Sequence, residues 1–322
     1  MNNDIFIICR GGGDLATGIV HRLARCGFRT LVLETDRPAA IRRQVSFCEA
    51  VYDGETVIEG VKAKLISFPE AEPEEVKAEN AAAGTKSAAG TESVVAAKLR
   101  RIIDETICSH AVPLLVDPEG KSIELLRPDI VIDAIIAKKN LGTRLDMAPL
   151  VVGVGPGFTC GVDVDYIVET KRGHNLARII TEGSAFPNTG VPGNIGGYTS
   201  ERVIHSDCAG IVKNICKIGD VVEAGQEIAR IYTGAGASSF TGDYVPVRAT
   251  IPGIIRGLIR EGYAVTPHFK MADIDPRREE LKNCFTISDK SRSIGGSALE
   301  LVTAFANHEL PLRTKKSGAA EN

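Results

Sequence analysis

The sequence predicts an α/β protein: a Rossmann-like parallel sheet in the N-terminal half and an all-β module in the C-terminal third. Three observations predict it. Apolar runs at Ile5–Ile8, Thr30–Leu33 and Ile130–Ile136 alternate with helical patterns, as strands buried on both faces of a parallel sheet do. A glycine-rich turn, Arg10-Gly11-Gly12-Gly13-Asp14-Leu15-Ala16-Thr17-Gly18, joins the first run to a helix. Residues 209–231 fall on residues 252–274 with a shift of 43 and no gap, the mark of an internal repeat.

The first unit is read from that turn. Leu15, Ile19, Leu23 and Ala24 share one helix face, and Gly27 stops the helix. Gly11-x-Gly13-x-x-Ala16 fits the dinucleotide fingerprint in its strand–turn–helix context. Absent side chains let a pyrophosphate reach the backbone, and the helix N-terminus offers free N–H groups to its charge. Gly11, Gly12, Gly13, Asp14, Leu15, Ala16 and Thr17 are therefore the predicted cofactor loop. Glu34, about 20 residues on, stands where a ribose-binding acid is expected. The competing reading is a turn that only packs helix on strand. Residues 69–97 are rich in Ala, Glu and Gly and read as a flexible or weakly helical surface insertion, with Gly84 and Gly90 interrupting Ala runs that would otherwise favour helix. A helix near Val94–Cys108 then restarts the fold, which closes the predicted nucleotide-binding domain at residue 150.

Residues 151–200 complete the α/β part. A strand again enters a glycine loop, with Gly153, Gly155 and Gly157 followed by Phe158, Cys160 and Gly161. One reading makes these glycines a second wall of the nucleotide site. Another makes Cys160 a nucleophile with His174 as its base, against the commoner case of an inert cysteine. Asp163 and Asp165 would hold a cation only if both faced one way, and alternate residues of a strand do not.

Residues 201–276 carry the repeat. Gly210 meets Gly253, Gly219 meets Gly262, Val222 meets Val265 and Ile231 meets Ile274. The run Ile218-Gly219-Asp220-Val221-Val222-Glu223-Ala224-Gly225-Gln226 resembles the turn of biotinyl and lipoyl domains. That resemblance implies a barrel–sandwich hybrid whose carriers attach their cofactor to a hairpin lysine. Residues 218–269 contain no lysine, so neither biotin nor lipoate is expected. Residues 277–322 read as a C-terminal helix and a polar tail, with Asp289, Lys290 and Arg292 either reaching a phosphate or decorating a helix entrance.

Composition bounds the role. A net charge of −3 over 322 residues gives no electrostatic footprint for nucleic acid. No run approaches the ~18 apolar residues of a membrane span, and Met1–Asp4 leads into an apolar run too short for a signal peptide. Eight scattered cysteines without zinc spacing read as reduced thiols, which points to the cytoplasm and to no metal site.

Taken together, Arg10–Gly18, Gly153-Val154-Gly155-Pro156-Gly157-Phe158, Glu169 with Arg172-Gly173-His174-Asn175-Leu176, Pro187-Asn188-Thr189-Gly190, Ile274–Arg277 and Ile287–Lys290 resemble the YqeB-type accessory proteins of the selenium-dependent molybdenum hydroxylase system. The resemblance implies a maturation factor for enzymes akin to xanthine or purine dehydrogenase. The apo-hydroxylase would be its partner, and the ligand would be a dinucleotide, either NAD(P) or molybdopterin dinucleotide. Self-association as a homo-oligomer is compatible with it. An NAD(P)-dependent oxidoreductase, with Lys138 or His174 as proton donor, and a non-enzymatic scaffold that docks the hydroxylase are the alternatives.

Overall fold

The structure, a computed structural model, describes residues 4–69, 88–191 and 193–310. The N-terminal half is built on nine strands: β1 (Phe6–Arg10), β2 (Arg29–Glu34), β3 (Glu55–Ile58), β4 (Val61–Ile66), β5 (Ala111–Val116), β6 (Ile130–Asp133), β7 (Leu150–Val154), β8 (Tyr166–Val168) and β9 (Ile179–Ile180). They form one sheet in the order β3-β4-β5-β2-β1-β6-β7-β8-β9.

Both sheet faces are covered, which explains the unbroken apolar runs. Ile7, Cys9, Val32, Ile130, Ile132 and Val152 face one layer, with α1 (Asp14–Arg25) and the C-terminal helix. Their neighbours Phe6, Ile8, Leu31, Leu33, Val131 and Val151 face the other. That second layer is α3 (Ala88–Cys108) and α4 (Lys121–Leu126), through Leu99, Ile103, Ile123 and Leu126. A short α2 (Ala50–Asp53) lies between β2 and β3. Because α3 begins at Ala88, the flexible reading of residues 69–97 does not extend over 88–97; residues 70–87 and the tail from 311 lie outside the described residues.

The expected Rossmann-like parallel sheet is corrected to a mixed one. β3 runs antiparallel to β4, and β9 antiparallel to β8. At β3–β4 the cause is local: Glu59 and Gly60 take left-handed φ of 44° and 82°. A two-residue turn makes a hairpin, and only a long crossover makes a parallel pair.

The expected barrel–sandwich module is corrected as well. The C-terminal part is a pair of four-stranded antiparallel sheets, ordered β10-β17-β15-β12 and β14-β13-β11-β16. The repeat is visible in the strand bounds. β11 (Gly210–Asn214), β12 (Val221–Val222) and β13 (Glu227–Tyr232) recur 43 residues on as β15 (Gly253–Leu258), β16 (Ala264–Val265) and β17 (Lys270–Asp275), with β15 one residue longer. Each half lends its short strand to the other, as β12 pairs with β15 and β16 with β11. A Cβ at Gly210 would lie 2.3 Å from the carbonyl of Tyr232, and one at Gly253 2.3 Å from the carbonyl of Asp275, so the glycines let the same strands cross in both halves. Strands outside the repeat, β10 (Val203–His205) and β14 (Tyr244–Arg248), complete the sheets. The core also takes in Ile41 from the N-terminal half. The turn signature reports a hairpin, and the sheets that hairpin joins are settled by partners far away in the chain.

The C-terminal helix α5 (Asp289–Ala306) returns to the first layer, capped by the Ser288 hydroxyl accepting from Ser291 N–H at 3.1 Å. It crosses α1 at backbone contact. A Cβ on Gly18 would stand 2.4 Å from the Ser291 carbonyl oxygen, and one on Gly295 2.4 Å from that of Gly18. We expect Gly18→Ala and Gly295→Ala each to lower the unfolding free energy in urea by about 1–3 kcal/mol through overpacking. Gly296→Ala, where a Cβ meets nothing within 4 Å, should be neutral or stabilising by up to ~1 kcal/mol. Equal stability of all three variants would refute the close crossing.

Candidate functional site: a basic cleft at the strand ends

A cleft of about 980 Å³ opens at the carboxyl ends of β1, β2, β6, β7 and β8, where ligands of α/β sheets usually bind. Its opposite wall is the C-terminal β pair, through Arg202, His205, Arg256, Tyr263, Lys270 and Asp273. Residues 186–191, Gly193, Ile195 and the entrance of α5 border it.

The first glycine loop supplies the floor. Gly11 has φ 98°, and a Cβ there would press on the Ala134 carbonyl at 2.9 Å, so the loop lies flat against the chain leaving β6. Gly12 N–H donates to Glu34 Oε2 at 2.8 Å, and Thr35 N–H donates to the other Glu34 oxygen at 2.8 Å. Burial pushes the Glu34 carboxyl above its ordinary range, against these two donors. Gly13 leaves open space and heads α1 without a side-chain cap. Of the predicted loop residues, Gly11, Gly13, Asp14, Leu15 and Glu34 line the cleft. Ala16 and Thr17 are buried behind it, where the Thr17 hydroxyl donates to the Gly12 carbonyl at 3.2 Å and accepts from Phe47 N–H at 2.9 Å.

The second glycine loop packs rather than lines. A Cβ on Gly153 would strike the Phe158 ring at 2.6 Å, one on Gly155 the Thr170 hydroxyl at 2.8 Å, and one on Gly157 the Lys139 backbone at 2.7 Å. Pro156 of this loop reaches the cleft. Beside it, Glu169 is buried and accepts from Thr170 and Lys171 N–H at 2.7 Å each and from Phe186 N–H at 2.8 Å. The carboxylate thereby ties the loop after β8 to Phe186 at the cleft border.

Cys160 and His174 are not brought together. Cys160 is half-buried against the α3–α4 layer, with its thiol donating to the Ile180 carbonyl at 3.2 Å. His174 is exposed on a loop and does not line the cleft. Burial, with Asp165 adding to it, pushes the Cys160 thiol up rather than down, contrary to what a nucleophile needs. Asp163 and Asp165 serve backbone: Asp163 accepts from Thr159 N–H at 2.8 Å, and Asp165 from Val151 N–H at 2.7 Å. Among the described residues no group of His, Cys, Asp and Glu could hold a metal ion.

Motif reading missed six of the cations, Arg37, Arg42, Lys171, Arg202, Arg256 and Lys270. With Lys138, Arg172 and Lys290, which the sequence does single out, they line the cleft against Asp14, Glu34, Glu169 and Asp273. Some are spent on structure. Arg172 forms a bidentate pair with Asp289 at 2.7 and 2.8 Å, and Arg202 is paired with buried Asp273. Others are not. Arg42 is 6% exposed, and Arg256 approaches Asp273 only at 3.7 Å; the Nε of each is buried without a hydrogen-bond partner. Crowding by protein pushes the ammonium groups of Lys270 and Lys290 below the usual lysine range, and nearby cations add to it. Burial, with Lys270, His268 and Lys138, does the same to His205. A chain of net charge −3 thus lines one concave place with nine basic side chains.

No protein-family model matches the chain. It is 40% identical over 294 residues to YqeB of Escherichia coli (strain K12), a protein described as uncharacterized. The match covers 91% of this chain and 46% of that protein, so the chain spans under half the length of its relative. Among solved structures, the Ectoine utilization protein EutE (DoeB) from Ruegeria pomeroyi shares 10% identity over 84% of each chain at a TM-score of 0.24. An aspartoacylase family protein from Mesorhizobium loti shares 11% over 84% of each at 0.24. Likeness of that degree assigns no activity. None of these names includes molybdenum, selenium, a Rossmann domain or a biotinyl domain. Among the described residues no helix is long and apolar enough to cross a membrane.

The Cys160 environment gives a direct test. Alkylation of Cys160 followed across pH should show a midpoint above the ~8.5 of a free thiol. A midpoint at or below about 7.5 would restore it as an activated nucleophile.

Proposed function

From a chain that is of the YqeB type over 91% of its length, we propose a cytoplasmic binding protein for a phosphate-bearing dinucleotide, acting as an accessory factor in the maturation of molybdenum hydroxylases. The cleft supports the ligand; the maturation role rests on the family resemblance alone. One observation carries the ligand class: nine basic side chains line a cleft at the strand ends of a chain whose net charge is −3. Such a focused field attracts polyanions. The volume is that of sites that enclose most of a drug-sized or cofactor-sized ligand. NAD(P) and molybdopterin dinucleotide share the pyrophosphate that this field would recognise. An apo-hydroxylase would be the partner that receives the ligand.

Two residues would serve the ends of such a ligand. Glu34 keeps a carboxylate at the rim of the glycine loop and could accept from a ribose hydroxyl. Lys138, held at φ 64° on the loop after β6, faces the same space from the sheet side.

Calorimetry and thermal melts with NAD, NADP and cytidine nucleotides test the reading. A ligand at 100 times its Kd should raise stability by about 2.7 kcal/mol, and mass spectrometry of gently purified protein should release a phosphate-bearing small molecule. Failure of every phosphate-bearing ligand to shift the melt would end the proposal. Co-purification with an apo-hydroxylase tests the second half.

The pH dependence has a definite sign. Lys270 and Lys290 have folded pKa values below their unfolded ones. Between the two, the unfolded chain binds more protons, so the ligand-free fold gains stability as pH rises through that window. Ligand affinity moves the other way, weakening as these ammonium groups lose their protons, beginning below the ordinary lysine value of ~10.4. An affinity flat from pH 7 to about 10 would show that neither lysine meets the anion.

A further inference from the structure

We propose that the phosphates of the cleft's ligand bind at the Arg42–Arg256 pair on the wall facing the glycine loop, and not on the glycine loop itself. This placement rests on the reading that a phosphate-bearing ligand occupies the cleft.

The glycine loop is already served by an anion of its own. Gly12 N–H is bonded to Glu34 Oε2 at 2.8 Å, so a phosphate there would meet a carboxylate in its place. Asp14 adds a second carboxylate on the first turn of α1, and both acids line the cleft. Like charges at close range in a partly buried site repel strongly.

The opposite wall has the reverse character. Arg42 is buried, and its Nη2 donates to the carbonyls of Asn283 at 3.0 Å and Thr286 at 3.4 Å. These bonds hold the guanidinium in place while its Nε stays unpartnered. The Nε of Arg256 is buried and unpartnered too. Unpaired buried donors are rare and call for an acceptor. The two arginines stem from chain segments in contact: Leu258 N–H donates to the Ile41 carbonyl at 2.8 Å, and a Cβ on Gly257 would lie 3.2 Å from Ile41. After burial, the charge of Arg256 also helps to depress the pKa of Arg42. Two neighbouring forks with free donors suit the oxygens of a phosphate or pyrophosphate, which guanidinium groups bind in a bidentate way. Lys270 stands exposed to the cleft, directly across the β10–β17 pair from His205. It brings a third cation to the same wall. Asp14 acts on Arg42 and Lys270 alike, so it sits at the border of the subsite and limits its affinity.

Calorimetric titration with inorganic pyrophosphate, with NAD in a parallel arm, tests the placement. Arg256→Gln should weaken pyrophosphate binding at least tenfold, and Lys270→Gln severalfold. Asp14→Asn should strengthen it severalfold. Arg278→Gln, which breaks an exposed pair with Glu223 outside the cleft, should change nothing. Loss of folding does not confuse the result, because Asp273 keeps Arg202 when Arg256 is removed, and Lys270 is exposed. A parallel loss of NAD affinity in Arg256→Gln would place nucleotide phosphates at the pair. If the wild-type protein binds pyrophosphate and both Arg256→Gln and Lys270→Gln bind it within twofold of wild type, the placement is wrong and the cleft reading stands. If the wild-type protein binds none of pyrophosphate, NAD, NADP and the cytidine nucleotides, both fall together.

Discussion

A backbone hydrogen bond from Leu258 N–H to the Ile41 carbonyl, 2.8 Å long, joins the two halves of this molecule, and the cleft depends on it. Ile41 belongs to the strap between β2 and β3, and Leu258 to β15. Around that bond the strap is fixed on both sides. Arg43 Nε donates to the Leu258 carbonyl at 2.8 Å, and Cys48 N–H donates to the Gly12 carbonyl at 2.9 Å. Arg260 of the β pair reaches back to Glu49 at 2.9 Å and to Asp53 at 2.5 Å. A Cβ on Gly257 would crowd Ile41 at 3.2 Å, so even the bulge in β15 is shaped to the strap. Glycine loop and basic wall are therefore held at a set separation by one short piece of chain. Arg42, in the middle of that piece, lines the cleft together with Arg256.

Electrostatic cost is distributed unevenly over the molecule. At the sheet centre, Arg10 and Asp133 are buried together 3.4 Å apart, and the Thr143 hydroxyl accepts from Arg10 while donating to Asp133 at 2.5 Å. Every charge there has a partner, as burial requires. That network closes the loop 134–143 and so places Lys138. At the cleft the same rule is left unmet, with unpaired guanidinium nitrogens and crowded lysines. Sites where the rules for a stable interior are relaxed tend to be sites of function.

Local order was legible in the sequence and long-range order was not. The alternation of Ile7 and Cys9 with Phe6 and Ile8 across two layers follows from period two, and the 43-residue repeat marks strand ends nearly to the residue. The glycine turn likewise announces a strand–helix junction. The antiparallel edges β3 and β9 escaped because one hangs on a two-residue turn and the other is only two residues long. Gly18 reads as the end of a motif, yet it meets Gly295 nearly the whole chain away, and no local pattern encodes that. The basic wall was hidden for the same reason. Arg42, Arg202, Arg256 and Lys270 stand in no motif, and only tertiary folding assembles them. His174 and Cys160, conspicuous in the sequence, lie on a loop and in a core layer that do not meet.

The repeat itself held the one signal that pointed to the wall. Shifted by 43, Lys270 corresponds to Glu227 and Asp273 to Arg230, so the two halves carry opposite charges at equivalent places. In the first half these charges satisfy each other: Arg230 Nε donates to Glu227 at 2.6 Å, and the guanidinium lies 4.4 Å from the centre of the Tyr244 ring. In the second half the two residues have different partners. Asp273 is turned to Arg202 and Arg256, and Lys270 is left to the cleft. One backbone thus appears twice, once with its charges paired to each other and once as a wall of the cleft. What separates them is the sign of two side chains and the neighbour each half meets. The first half packs its pair against its own hairpin, and the second meets the strand ends of a sheet that offers Asp14 and Glu34 across the gap. A symmetric module becomes an asymmetric wall because its surroundings are asymmetric, and the charge inversion is the residue-level trace of that difference.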